Sequence, residues 1–83
     1  MFDYGAGAEL FPGRSGRKFI KKNLYQRFSR ADAAIQFAIE ELRPELLNGA
    51  YLEVDEERFD ATQIRQLYDD DRFPLTRKTP AQP

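Results

Sequence analysis

The stretch Ala50–Tyr68, AYLEVDEERFDATQIRQLY, decides the fold, because its apolar pattern changes period part-way along. From Ala50 to Asp55 the residues alternate, with Leu52 and Val54 on one side and Tyr51, Glu53 and Asp55 on the other. A period of two is a strand with one buried face and one face that is wet or turned to a partner. From Asp60 the period lengthens: Ala61, Ile64, Leu67 and Tyr68 fall on one side of a helix. Asp60 and Gln63 stand at capping-box spacing, while Phe59 and Ile64 occupy the two positions of a hydrophobic staple. The helix therefore starts at Asp60, directly behind the strand.

The same pairing of elements occurs upstream. Ala31, Ala34, Ile35, Ala38, Ile39 and Leu42 form one apolar helical stripe, which Arg43-Pro44 ends because the residue before proline avoids the helical region. Ser29 is placed to cap this helix, with Asp32 suited to its positive start, and Phe37 lies off the stripe as a second contact surface. Before it, Lys18 to Phe28 reads as a strand, interrupted near Lys22-Asn23, with Leu24, Gln26 and Phe28 on one face and Tyr25 and Arg27 on the other. Leu46-Leu47-Asn48-Gly49 reads as a turn, and Phe73-Pro74-Leu75 folds back over one end of the core.

The resulting order is strand, helix, strand, helix: a small single α+β domain over residues 17–75. The link between the strands is long enough for a parallel crossover, and antiparallel pairing stays open. Two strands make a poor sheet. A third comes either from Ala8-Glu9-Leu10-Phe11, as a short edge strand ending at Pro12-Gly13, or from a second copy of the chain. Four of the five glycines lie within residues 1–16, so that segment is expected as a flexible Gly-rich arm, and residues 76–83 as a disordered tail. Arg27-Phe28-Ser29 and Arg58-Phe59-Asp60 both introduce helices, and read as two solutions to one capping problem rather than as a repeat.

With 83 residues the chain is one domain with a thin core, and 41% hydrophobic against 33% charged residues is compatible with folding. There is no cysteine and no histidine. That removes disulfides, thiolate and Ser–His chemistry, and the commonest zinc ligands. No apolar run spans a bilayer, and Met1-Phe2-Asp3-Tyr4-Gly5 lacks the basic start and apolar run of a secretory leader. A soluble cytoplasmic protein is expected.

Charge is sorted by position. Residues 1–30 sum to +5, residues 31–75 to −8 and residues 76–83 to +2, within a total of −1. Between Arg14 and Arg30 stand seven cations and no acid: Arg14, Arg17, Lys18, Lys21, Lys22, Arg27 and Arg30. Interleaved with Phe19, Tyr25 and Phe28, they are suited to phosphates and stacked bases, to solvating a strand edge, or to facing the acidic remainder. A pI near 5.4 weighs against general nucleic-acid affinity. Asp69-Asp70-Asp71 opposes the dipole at a helix end, yet it has neither EF-hand spacing nor a glycine to turn a ligand loop. Glu53, Asp55, Glu56 and Glu57 offer carboxylates without a cleft to shift one of them. The glycines at Gly5-Ala6-Gly7 and Pro12–Lys18 lack the spacing and context of phosphate loops.

Ala34–Leu42, Leu52–Phe59 and Gln63–Tyr68 together make the chain resemble short uncharacterised bacterial proteins of unknown function over about residues 24–75. That resemblance implies no activity and transfers no site residue. The expectation is thus a non-enzymatic protein-interaction or regulatory module that self-associates as a homodimer through its basic strand, with nucleic-acid binding as the alternative. Its partner-binding residues are Arg14, Arg17, Lys18, Lys21, Lys22, Tyr25, Arg27 and Arg30. No catalytic residue, cofactor, metal, membrane or small-molecule substrate is expected.

Overall fold

The computed structural model describes residues 2–11, 13, 25–42 and 44–76, with the side chains of Pro44 and Glu45 left aside. Its elements are β1 (Ala8–Phe11), β2 (Gln26–Phe28), α1 (Ala31–Glu40), the short α2 (Pro44–Leu47), β3 (Tyr51–Val54), β4 (Glu57–Asp60) and α3 (Ala61–Asp69). The four strands form one antiparallel sheet in the order β2-β1-β3-β4, so the domain is α+β. None of its described helices is long and apolar enough to cross a membrane.

The largest departure from the sequence reading is β1. It is not an edge strand: it lies between β2 and β3, with Leu10 opposite Gln26 on one side and Leu52 on the other. The cause is the alternation Ala8-Glu9-Leu10-Phe11. Ala8 and Leu10 are buried, while Glu9 and Phe11 take the opposite face. Residues 2–6 are also tied down. The Asp32 N–H donates to the Tyr4 carbonyl at 2.9 Å, the Tyr4 hydroxyl donates to the Leu67 carbonyl at 2.9 Å, and Phe2 meets Phe59 edge-on at 5.2 Å.

That backbone bond also explains why Ser29 does not cap α1. The N-cap is Arg30, whose side chain makes no cap bond, and a first-turn N–H is satisfied from the N-terminal segment instead. Asp32 is fully buried and grips the Arg30 guanidinium through both oxygens, at 2.8 and 3.2 Å. Ala31, Ala34, Ile35 and Ala38 of the expected stripe are buried against the sheet, with Ile39 partly so. Phe37 packs on Phe28, ring centres 5.7 Å apart. The helix stops at Glu40, before Arg43-Pro44, and Leu46-Leu47 belongs to α2 rather than to a turn.

The stretch 50–68 folds as read, with one addition. Leu52 and Val54 are buried, and Asp60 caps α3 in a complete capping box with Gln63, both bonds 2.9 Å. The addition is β4, which pairs Glu57 with Val54 and Phe59 with Leu52. A two-residue turn at Asp55-Glu56 makes this hairpin, both residues with positive φ (51° and 68°). That turn normally announces itself with glycine or asparagine, and here neither is present. Replacing Glu56 with glycine is accordingly expected to stabilise the domain by ~0.5–1 kcal/mol, read as a higher denaturation midpoint at unchanged m-value.

The topology also gives Arg27-Phe28 and Arg58-Phe59 equivalent places. Glu9 pairs with Arg27, Glu53 with Arg58, and Glu9 with Glu53 between them. Each half is a strand pair followed by a helix, related by a pseudo-two-fold through the Glu9–Glu53 pair. Both helices cover one side of the sheet, where Tyr68 of α3 reaches α1 by donating from its hydroxyl to Glu40 at 2.6 Å. Phe73 closes the end of this core against Tyr4 and Tyr68, as expected for the Phe73-Pro74-Leu75 return.

Candidate functional site

With both helices on one side, the other side of the sheet has no covering layer among the described residues, and the molecule is only 17 Å across its thinnest dimension. Strand alternation decides what stands on this face. One cross-strand row is charged: Arg27, Glu9, Glu53, Arg58, in order from β2 to β4. The next row is aromatic. Phe11 stacks on Tyr51 with ring centres 4.7 Å apart and planes 20° apart, and meets Tyr25 on its other side at 5.0 Å. The Arg58 guanidinium covers the Tyr51 ring at 4.7 Å, closing the row with a cation–π contact. Tyr25, 47% exposed, is the one exposed large hydrophobic residue described.

The rings therefore stand side by side on the sheet and pack against one another. The Tyr25 hydroxyl is held above its ordinary pKa, first by desolvation and then by the neighbouring Glu9 carboxylate. Ion pairing on the face is loose: Arg27 approaches Glu9 at 3.8 Å with its side chain 71% exposed. Among the described residues, Glu53 and the turn residues Asp55 and Glu56 enter no ion pair. Glu9 and Glu53 stand directly opposite each other, an arrangement of like charges that costs stability.

Of the expected partner-binding residues, Arg14, Arg17, Lys18, Lys21 and Lys22 lie outside the described residues, as does most of the expected strand from Lys18. Tyr25 and Arg27 fall on the uncovered face. Arg30 does not: it sits at the base of α1, where its hydrogen bond to Asp32 raises an already high pKa, so it carries its charge throughout the ordinary pH range. Phe11, Glu9 and Arg58 are face residues that the basic-block reading missed, whereas the alternation with Leu52 already places Tyr51 on the outer face.

The chain matches no protein-family model, no curated protein and no solved structure. Its chemistry therefore rests on its own side chains. Asp69 is engaged by Arg65 at 3.3 Å and Asp70 by Arg72 at 3.1 Å, so two carboxylates of the acidic run are held by arginines of their own chain. Among the described residues no three metal-ligating side chains come together. A shallow cleft of about 370 Å³ opens beside Tyr51 and Asp60, between the Asn48–Ala50 turn and the start of α3. It carries a single carboxylate, Asp60, whose oxygen already accepts the Gln63 N–H. What this surface can do is bind: tyrosine and arginine around a partly apolar patch are the residue types that dominate protein interfaces.

Proposed function

We propose that the protein is a non-enzymatic interaction module that self-associates, its basic block Arg14–Arg30 docking on an acidic protein surface of a second copy. The observation that supports this reading is the sheet face that no described residue covers, where aromatic rings and carboxylates, Glu53 without an ion pair among the described residues, stand beside Tyr25 and Arg27. Charge composition supports it too. The block is uniformly positive, the following segment strongly negative, and a near-neutral total does not oppose the meeting of two copies.

Nucleic acid as the ligand of the same block has less support. Arg27 and Arg30 both face carboxylates of their own chain, and the rings of the aromatic row are stacked on each other rather than open to a base.

The test is the solution mass of the intact chain at high concentration across a salt series. The expected result is twice the protomer mass of 9.7 kDa at about 20 mM salt, falling toward one protomer at about 1 M as the Debye length shortens from tens of ångströms to about 3 Å. A monomer at low salt and high concentration sinks the reading. A monomer that binds single-stranded nucleic acid with a steep salt slope replaces it with the alternative.

A further inference from the structure

Resting on that reading, we propose which surface accepts the block: the uncovered sheet face, with the Glu9–Glu53 pair at its centre, receives segment 14–22 of a second copy of this chain. Among the described residues the face has two deficits. At its centre two carboxylates oppose each other on adjacent strands, with side chains rooted about 5 Å apart. Arg27 and Arg58 stand outside them, one in a loose 3.8 Å contact and the other turned over the Tyr51 ring. The centre of the face is thus negative between two positive edges, and a cation inserted between Glu9 and Glu53 neutralises both.

The second deficit is apolar. The rings of Tyr25, Phe11 and Tyr51 form a ridge that wants an apolar cover with polar groups near the hydroxyls. Toward the other end of the strands lie Asp55 and Glu56, both exposed. An occupant matching this face from end to end carries apolar side chains beside several cations and no acid.

Segment 14–22, Arg14-Ser15-Gly16-Arg17-Lys18-Phe19-Ile20-Lys21-Lys22, has that composition: five cations, no carboxylate, and Phe19-Ile20 in their midst. Two face-on copies without this segment bring like charges together wherever the Glu9–Glu53 centre of one lies over that of the other. Mutual docking of segments removes the conflict and makes a closed, two-fold dimer, with each protomer both donor and acceptor.

The experiment is a charge-exchange test on the full chain, read by sedimentation equilibrium at low salt, with circular dichroism confirming that each variant is folded. Glu9→Gln with Glu53→Gln, nearly isosteric, is expected to raise the dimer dissociation constant roughly tenfold or more. Glu9→Lys with Glu53→Lys, and separately Lys21→Glu with Lys22→Glu, should each be monomeric, and their equimolar mixture should recover a heterodimer. A structural defect cannot produce that rescue. If the wild type dimerises but the glutamine variant dimerises equally well, or the mixture stays monomeric, this acceptor is wrong while self-association stands. If the wild type is monomeric throughout, the segment meets no second copy and both proposals fall together.

Discussion

Replacing Leu10 with alanine is expected to cost the domain about 3–4 kcal/mol and to lower its melting temperature by roughly 15–25 °C. The residue lies in a segment rich in glycine, and a reading by composition alone predicts almost no effect. In the fold it is fully buried on an inner strand, flanked by β2 and β3. Truncation there opens a cavity between the sheet and the helices, and a small domain has few neighbouring side chains with which to fill it. Since domains of this size are stable by only about 4–12 kcal/mol, the variant sits near the edge of folding. Chemical denaturation monitored by circular dichroism measures the loss. A midpoint within experimental error of the wild type would show that β1 does not belong to the core.

The contrast between those two expectations explains what was legible beforehand. Asp60 and Gln63 state the start of α3 unambiguously because a capping box is satisfied by four consecutive residues, and the structure contains both of its bonds. The alternation in β3 and the stripe of α1 are equally local. Strand order is not local. Whether Ala8–Phe11 sits at an edge or inside depends on partners far along the chain, and glycines around a strand say nothing of its neighbours. Ser29 failed as a cap for the same kind of reason, since the carbonyl of Tyr4, distant in sequence, reached the helix start first.

The candidate face divides along the same line. Tyr25 and Arg27 drew attention as members of a basic run, and Glu53 as one of the carboxylates on the outer side of the 50–55 strand. Phe11 and Glu9 joined them only through the register of β1, which sets Phe11 against Tyr51 and Glu9 against Glu53. Arg58 was hidden with β4, behind a turn that contains no glycine. The segregated charge of the chain is therefore only part of the surface. Across the sheet the signs run positive, negative, negative, positive.

Replacing Gly13 with alanine is the second change expected to be severe, at about 3 kcal/mol or more. Gly13 follows β1 and lies against the turn that delivers the chain into β3. Its N–H donates to the Leu46 carbonyl at 2.6 Å, and a methyl group built on it collides with the Asn48 carbonyl oxygen and crowds the backbone of Leu46 and Gly49 at 3.0 Å. These obstacles are backbone, so no side chain can rotate away. Relief requires moving either the end of β1 or the 46–49 turn, and the turn is itself constrained by Gly49 at φ 95°. Overpacking of a close contact costs about 1–3 kcal/mol, and loss of the bond to Leu46 adds about 1. A methyl group on Gly49 would stand 3.7 Å from the Gly13 Cα, an ordinary contact, so space is short on the Gly13 side alone. Gly49→Ala is strained for a different reason, its positive φ, so the double variant should cost less than the sum of the single changes if both move the same turn. Gly13→Ala also bears on the proposed self-association. Phe11 and Tyr51 meet directly across the strands that this contact aligns. A shift there loosens the aromatic row, so the proposed self-association should weaken even in conditions where the variant remains folded. Denaturation midpoints and sedimentation of the same preparation separate the two effects, and a variant with wild-type stability would show that the strand end and the turn are not packed as described.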